Sequence, residues 1–183
     1  MAQAVTLPAF RYHPDPIASG SVVASDTECR RCRRSRGYIY TGPVYSEADL
    51  ADALCPWCIA DGSAHRELGA SFVDTEAFGS DVPEAVVAEI TERTPGYSTW
   101  QGEEWPACCH DATAFLAPAG IADIRKNHRD LEGSVQSHII YDLGISGGAA
   151  TRLLESLDRD AGPTVYLFKC LGCGEYQVRI DYP

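Results

Sequence analysis

The sequence lacks the features that would place the chain in a membrane or on nucleic acid. No apolar run approaches the roughly 20 residues that span a bilayer. Residues 1–10 have neither the basic start nor the apolar core of a secretory signal peptide. Lys and Arg number only 15 against 26 Asp and Glu, so the net charge is −11 at pH 7. A field of this sign disfavours general nucleic-acid binding, and we expect a soluble, cytoplasmic protein with no membrane contact.

The sequence also has no unpaired cysteine, because its eight cysteines fall into four closely spaced pairs: Cys29 and Cys32, Cys55 and Cys58, Cys108 and Cys109, Cys170 and Cys173. Three pairs are C-x-x-C, a spacing that lets two thiolates of one tight turn point at one metal. In a reducing compartment metal explains such pairs more readily than disulfides do. The pattern predicts two zinc ions, with ordinary buried cysteines or disulfides as the alternative.

The first two pairs predict one zinc site. The first pair forms a turn, or knuckle, and residues 37–40 and 41–45 are two strand-like runs around a Gly-Pro turn. The second pair opens a helix-compatible stretch over 59–68, with Pro56 in the first turn, where proline is tolerated. The gap between the pairs slightly exceeds the usual range of roughly 15 to 20 residues. Knuckle, hairpin and helix in this order resemble a treble-clef zinc finger.

The last two pairs predict a second zinc site. The fourth pair lies at the tip of a hairpin predicted from residues 165–168 and 176–180. A knuckle supplies two ligands and needs two more, and the remaining clustered ligand types are Cys108, Cys109 and His110. Adjacent cysteines reach one metal only with unusual backbone geometry, so the second cysteine plus the histidine competes with the two cysteines. We favour the two cysteines.

The remaining pattern predicts an α+β fold, a small zinc-stabilised domain with a treble-clef-like finger and a C-terminal zinc-knuckle hairpin. Helices are expected from about residue 84 to Thr94, from 121 towards 141 with an interruption near Gly133, and from 146 to 157. At 183 residues and 45 % hydrophobic content the chain can bury a core of ordinary size. We expect a single domain over 1–183, with a zinc lobe over 1–70 and the helices and hairpin over 80–183.

Two further groups of residues allow a structural and a functional interpretation. Basic residues gather at the first knuckle, where nucleic-acid binding competes with support of the zinc thiolates and pairing with acidic neighbours; they are Arg30, Arg31, Arg33, Arg34 and Arg36. We favour the structural role. The densest aromatic cluster is either a partner-binding surface or core beside the second zinc, and we favour core; its members are Tyr97, Trp100 and Trp105. The histidines are scattered, and we assign no catalytic residue.

Long stretches of the chain resemble the CbrC family of bacterial proteins. The resemblance is carried by residues 7–16, by 36–45 with the string Tyr-Ile-Tyr-Thr-Gly-Pro-Val-Tyr, and by 54–64. Later pieces match as well: 93–97, Trp105 with the third cysteine pair, and 166–170. His110 and Thr113 depart from the family pattern, which has glycine and cysteine there. The resemblance implies an association with tolerance of a DNase colicin, a bacteriocin whose toxic domain is a basic nuclease.

These observations favour a non-enzymatic, zinc-stabilised protein that binds and neutralises a toxin or another basic protein partner. Acidic immunity proteins capture basic nucleases by steered association, with aromatic anchors supplying lasting affinity. The alternative is a zinc-dependent protein that binds or processes nucleic acid. Solubility alone also explains an acidic chain, so the charge by itself does not establish a basic partner.

Overall fold

The computed structural model describes residues 6–183, and the N-terminal part folds around a two-stranded antiparallel sheet. Strands β1 (Val22–Ala24) and β2 (Tyr38–Tyr40) pair with Val23 opposite Ile39. The predicted hairpin between 37–40 and 41–45 is therefore wrong. After β2 the chain leaves the sheet, and Tyr45 bridges to Ser71 instead. The first knuckle lies inside the β1–β2 connection. Of the predicted treble-clef order, the knuckle and a helix that begins at the second cysteine pair are present, and the hairpin between them is not.

The helix predicted over 59–68 is two short helices. Helix α1 spans Pro56–Ala60 and α2 spans Ser63–Leu68. The break falls at Gly62, whose φ of 70° lies in the left-handed region that suits glycine and ends the first helix. Helix α3 (Glu84–Arg93) forms where the sequence predicts it and buries Ile90 completely.

The C-terminal half is built on a three-stranded antiparallel sheet. A small hairpin of β3 (Ala107–Cys108) and β4 (Asp111–Ala112) leads into β5 (Ala114–Ala119). The sheet has the order β5-β6-β7, with β6 (Thr164–Lys169) in the centre and β7 (Tyr176–Asp181) at one edge. The predicted final hairpin is confirmed, and its register places Val165 opposite Ile180. Because β6 is central, its residues 164–168 are all buried.

Three helices cover this sheet: α4 (Ile121–Asn127), α5 (Glu132–Ser137) and α6 (Gly147–Ser156). A 3-10 turn (Arg129–Leu131) separates the first two, and a π-helical turn (His138–Asp142) follows the second. The predicted break near Gly133 is misplaced, because Gly133 lies within α5. The helical run is broken at His128, whose φ of −142° and ψ of 45° are not helical.

The buried side chains form three separate groups. The N-terminal group surrounds the first cysteine pairs, and the C-terminal group joins the sheet to α4, α5 and α6. A mainly aromatic middle group includes Tyr12, Tyr97, Trp105, Phe115 and Phe168. The described chain is thus a mixed α and β structure. Among residues 6–183, no helix combines the length and the apolarity needed to cross a bilayer.

Candidate metal centres

The eight cysteine sulfurs gather into two groups of four, which we call the first and the second tetrad. The first contains Cys29, Cys32, Cys55 and Cys58; the second contains Cys108, Cys109, Cys170 and Cys173. Within each tetrad all four sulfurs lie within 4.8 Å of one another. All eight cysteines are free thiols. The disulfide alternative is therefore not what the structure contains.

The spacing of the sulfurs matches that of a tetrahedral metal site. In the first tetrad Cys55 and Cys58 are 3.5 Å apart and Cys29 and Cys58 are 3.8 Å apart. In the second tetrad, the Cys108 sulfur lies 3.8 Å from the Cys109 sulfur and 3.6 Å from the Cys173 sulfur. A tetrahedron with metal–sulfur bonds of about 2.3 Å has edges of about 3.8 Å. Each tetrad is therefore dimensioned to hold one metal ion.

The two knuckles are the same backbone turn. In each, the amide of the first cysteine donates to the carbonyl five residues later, and the amide four residues later donates back. These bonds join Cys29 to Arg34 and Arg33, and Cys170 to Glu175 and Gly174. The residue that donates back has a positive φ, 55° at Arg33 and 78° at Gly174. Glycine suits this conformation, whereas arginine holds it with some strain.

Hydrogen bonds stabilise negative charge on the first sulfur of each knuckle. A hydrogen bond from the Cys55 thiol, assisted by backbone amides of the turn, lowers the pKa of Cys29 to about 4. The amide of Cys173, with that of Gly172, lowers the pKa of Cys170 to about 6. Both amides are 3.4 Å from the Cys170 sulfur. A thiolate is the form that binds a metal, so both turns prepare one ligand before the ion arrives.

The second pair of the first tetrad comes from the start of helix α1. Cys55 precedes the helix in an extended conformation, and Pro56 occupies the first turn, where a missing amide costs nothing. The Cys58 amide donates to the Cys55 carbonyl at 3.0 Å, which holds the two side chains on one side of the turn. The Cys55 amide donates to the Cys29 sulfur at 3.4 Å and so ties the helix start to the knuckle.

The second pair of the second tetrad comes from a tight hairpin turn. Cys108 pairs with Asp111, and the two residues between them have φ values of 55° at Cys109 and 58° at His110. Two successive positive φ values define a type I′ turn, which matches the twist of the flanking strands. This is the unusual geometry that adjacent cysteine ligands require. His110, the alternative ligand, is not part of the tetrad.

Several contacts that the sequence did not predict hold this hairpin in place. Asp111 accepts from Arg11 at 2.6 Å and from the Tyr12 hydroxyl at 2.7 Å. Gly172 of the knuckle approaches so closely that an added Cβ would lie 3.3 Å from the Cβ of Cys109. The glycine inside C-x-x-C was a usable signal for such a close approach. Nothing in the sequence marks Asp111.

The two tetrads differ in exposure. In the first, three cysteines are buried and Cys32 is partly buried. In the second, only Cys170 is buried, while Cys109 and Cys173 are exposed and Cys108 is intermediate. Burial raises the pKa of Cys58 to about 11. Filling the buried site therefore requires the loss of thiol protons, which a metal ion displaces.

Most of the knuckle arginines have intramolecular partners. Arg31 pairs with Glu67 and also lies beside Cys58, and both contacts raise its pKa, that with Glu67 more strongly. Arg36 lies over the Trp57 ring at 5.3 Å, and Arg30 donates to the Asp49 carbonyl. Arg33 is 3.7 Å from Glu28. Within residues 6–183 the Arg34 side chain has no hydrogen bond or ion pair, and it is exposed.

Of the three aromatic residues considered for partner binding, two lie in the core. Tyr97 and Trp105 are each only 2 % exposed, and Tyr97 stacks on Phe115 at 4.2 Å. Neither side chain reaches the surface, so these two residues occupy the core position that the sequence analysis favours over a partner-binding surface. Trp100 is 45 % exposed. Its indole nitrogen donates to Thr164 at 3.1 Å and its backbone amide to Asp181, so an exposed ring is held in a fixed position.

Comparison with known proteins identifies the family of the chain. Two curated relatives, UPF0167 proteins of Mycobacterium bovis and Mycobacterium tuberculosis, are each 44 % identical over 177 residues, which is 96 % of this chain and 94 % of each relative. A UPF0167 protein of Pseudomonas aeruginosa is 43 % identical over 178 residues, which is 96 % of this chain and 97 % of the relative. No solved structure matches the chain. The model of an uncharacterised protein family, UPF0167, matches residues 7–182, and the chain therefore belongs to that family.

Proposed function

We propose that the protein binds two zinc ions, one in each tetrad. The observation that carries the proposal is the near-tetrahedral spacing of four sulfurs at two separate places. Four thiolates in this geometry select zinc or iron among the common metals. Elemental analysis of protein purified without added metal tests the choice. Two zinc ions per chain support it, whereas iron with visible absorbance contradicts it.

We further propose that the protein acts by binding a basic protein partner in the cytoplasm, in the manner of an immunity factor, and not by catalysis. The net charge of −11 supports this, and two four-thiolate zinc sites would bring it to roughly −15. The resemblance to the CbrC family suggests the nuclease domain of a DNase bacteriocin as the partner. Opposite charges accelerate such encounters.

Trp100 is the residue that best fits an anchor for this partner. Its ring is 45 % exposed and fixed by Thr164 and Asp181, so little rotamer freedom would be lost on binding. Tyr141 offers a matched control, because it is 81 % exposed and lies in the π-helical turn. We expect Trp100→Ala to raise the dissociation rate at least about tenfold, the cost of a typical hot-spot residue. Tyr141→Ala should leave the rate unchanged.

Surface plasmon resonance with a basic bacteriocin nuclease domain tests the proposal. The association rate should fall as ionic strength rises past about 0.15 M, where the screening length is about 8 Å, while dissociation changes less. Variants of His65, His128 and His138 should bind and protect cells like the wild type, because no proton transfer is asked of them. Absence of binding at low salt, or loss of protection in one folded histidine variant, would contradict the proposal.

Nucleic-acid binding stays the alternative, and one observation favours it. The exposed Arg34 side chain has no intramolecular partner within residues 6–183, next to Arg33 on the same knuckle. Fluorescence anisotropy with single- and double-stranded DNA decides the matter. Affinity that falls steeply with salt and with Arg34→Ala would support this alternative.

A further inference from the structure

The second tetrad is more accessible to small solutes than the first. Cys109 and Cys173 are exposed, whereas in the first tetrad no cysteine is exposed. Oxidation of cysteine by peroxide follows thiolate character and exposure. Metal binding keeps all four ligands as thiolates in both tetrads. Accessibility is therefore the property that separates two otherwise equivalent sites.

We propose that the second tetrad is a site of oxidation by hydrogen peroxide, which joins Cys108 and Cys173 in a disulfide and releases the bound metal ion. The first tetrad keeps its ion under the same conditions. The proposal rests on the zinc content proposed above. Beyond metal binding, it assigns to the second tetrad a reaction of its cysteines with a peroxide.

The shortest sulfur–sulfur hydrogen bond in the second tetrad joins this pair of cysteines. The sulfurs of Cys108 and Cys173 are 3.6 Å apart, closer than those of Cys108 and Cys109 at 3.8 Å. The Cα atoms of adjacent residues are about 3.8 Å apart, below the range of about 4.4 to 6.8 Å found in disulfides. A bond between the neighbouring cysteines is therefore disfavoured. Cys170 is buried, and two backbone amides already donate to its sulfur.

The chemistry balances with peroxide as the only oxidant. The exposed Cys173 thiolate attacks one peroxide oxygen, the O–O bond breaks, and a sulfenic acid and a hydroxide ion form. The Cys108 thiolate then attacks the Cys173 sulfur, forming the S–S bond and displacing a second hydroxide. The two sulfurs lose two electrons and the peroxide gains them. A metal ion held by the second tetrad would then keep only two of its four ligands and would dissociate.

The fold should survive this change. The disulfide would still connect the β3–β4 hairpin to the β6–β7 loop, as the metal does. The hairpin is also held by contacts without sulfur, from Arg11 and Tyr12 to Asp111, and from the Gln177 amide to the Ala107 carbonyl at 3.2 Å. We therefore expect oxidation to be local and reversible by dithiothreitol with added zinc.

The test follows zinc release from the full-length protein treated with hydrogen peroxide, using a chromogenic chelator, with the first tetrad as internal control. One of two zinc ions should leave, on the order of tenfold faster than the other. Peptide mapping should find the Cys108–Cys173 disulfide. Release of both ions at one rate, retention of both, or a disulfide elsewhere, including one to Cys109, would overturn the proposal.

A variant without the second thiol of the pair tests the mechanism separately. In Cys108→Ser the thiol proposed to attack the Cys173 sulfenic acid is missing, so peroxide should leave that sulfenic acid in place, where dimedone labels it. Absence of label on a folded variant would contradict the assigned order of attack. Elemental analysis before treatment distinguishes the two proposals. Fewer than two zinc ions contradicts the proposed function, whereas two ions released together contradicts only the oxidation site.

Discussion

His13 should make the protein less stable in mild acid. Its ring is fully buried, with Nδ1 2.7 Å from the Pro95 carbonyl and Nε2 2.7 Å from the Ser19 hydroxyl. Both contacts fit the neutral imidazole, with Nδ1–H donating to Pro95 and Nε2 accepting from Ser19. Burial lowers the pKa of His13 to about 4, although the hydrogen bond to Pro95 opposes this. The folded state therefore resists protonation that the unfolded state accepts near pH 6.5.

The linkage between protonation and folding gives the size of the effect. Because the folded pKa is depressed, this stability is fully present above about pH 6.5 and is lost as the pH falls towards 4. Between pH 7.5 and 5.5 the loss from His13 alone is about 1 kcal/mol, and over the whole window it approaches about 3 kcal/mol. The upper interval is the useful one, because strong acid also protonates the cysteine ligands.

Urea unfolding at pH 7.5 and 5.5, followed by circular dichroism, measures this loss. The comparison is with His13→Gln, which does not titrate but keeps all eight cysteines, so that proton effects at the tetrads cancel. We expect the variant to be less stable at both pH values, because it loses buried hydrogen bonds. On acidification it should nevertheless lose about 1 kcal/mol less than the wild type. Equal losses would refute the reasoning, since His13 would then not be the titrating group.

Three further substitutions test the packing and the tetrads. Gly96→Ala would place a Cβ 2.0 Å from the Phe72 carbonyl oxygen and should lower the free energy of unfolding by about 3 kcal/mol or more. Gly102→Ala is the control, because its Cβ meets nothing within 4 Å, and thermal unfolding should find it nearly neutral. Trp105→Ala should lower the free energy of unfolding by about 3 to 5 kcal/mol because the ring is buried, and Trp100→Ala by under about 1 kcal/mol. Equal losses would contradict the placement of Trp105 in the core and Trp100 at the surface. Cys55→Ser leaves three ligands in the first tetrad, and denaturation curves should show a larger loss of stability than the exposed change Ser134→Ala.

The pairing of the cysteines could be predicted from the sequence because ligand spacing is local. A C-x-x-C turn brings two sulfurs together whatever the rest of the chain does, and an orphan knuckle needs two more ligands. The pairing of the second knuckle with Cys108 and Cys109 followed by elimination. The type I′ turn that makes it workable could not be predicted, since Cys109-His110 is not one of the Asn-Gly, Asp-Gly or Gly-Gly pairs that signal such a turn.

The errors in the fold have a different origin. Strand β2 pairs with β1, which precedes the knuckle, and no local pattern distinguishes that partner from the run over 41–45. The string Tyr-Thr-Gly-Pro has a tertiary role: the Tyr40 hydroxyl donates to the Pro43 carbonyl and accepts from the Gly96 amide at 3.0 Å. The hydrogen bond between Gly96 and Tyr40 joins residues 56 positions apart, and local sequence patterns do not predict such a contact. The sequence likewise predicts the helix break at Gly133 instead of at His128, because helix propensity is the only local guide to such a break.

The central claim is that each tetrad holds its own zinc ion, and native mass spectrometry with elemental analysis tests it most directly. The account predicts two zinc ions in the wild type, with Cys55→Ser losing the first ion only. Cys109→Ser and Cys173→Ser should each lose the same second ion, because both belong to the second tetrad. Fewer than two tightly bound zinc ions in the wild type would contradict the account, as would a Cys173→Ser variant that keeps both ions.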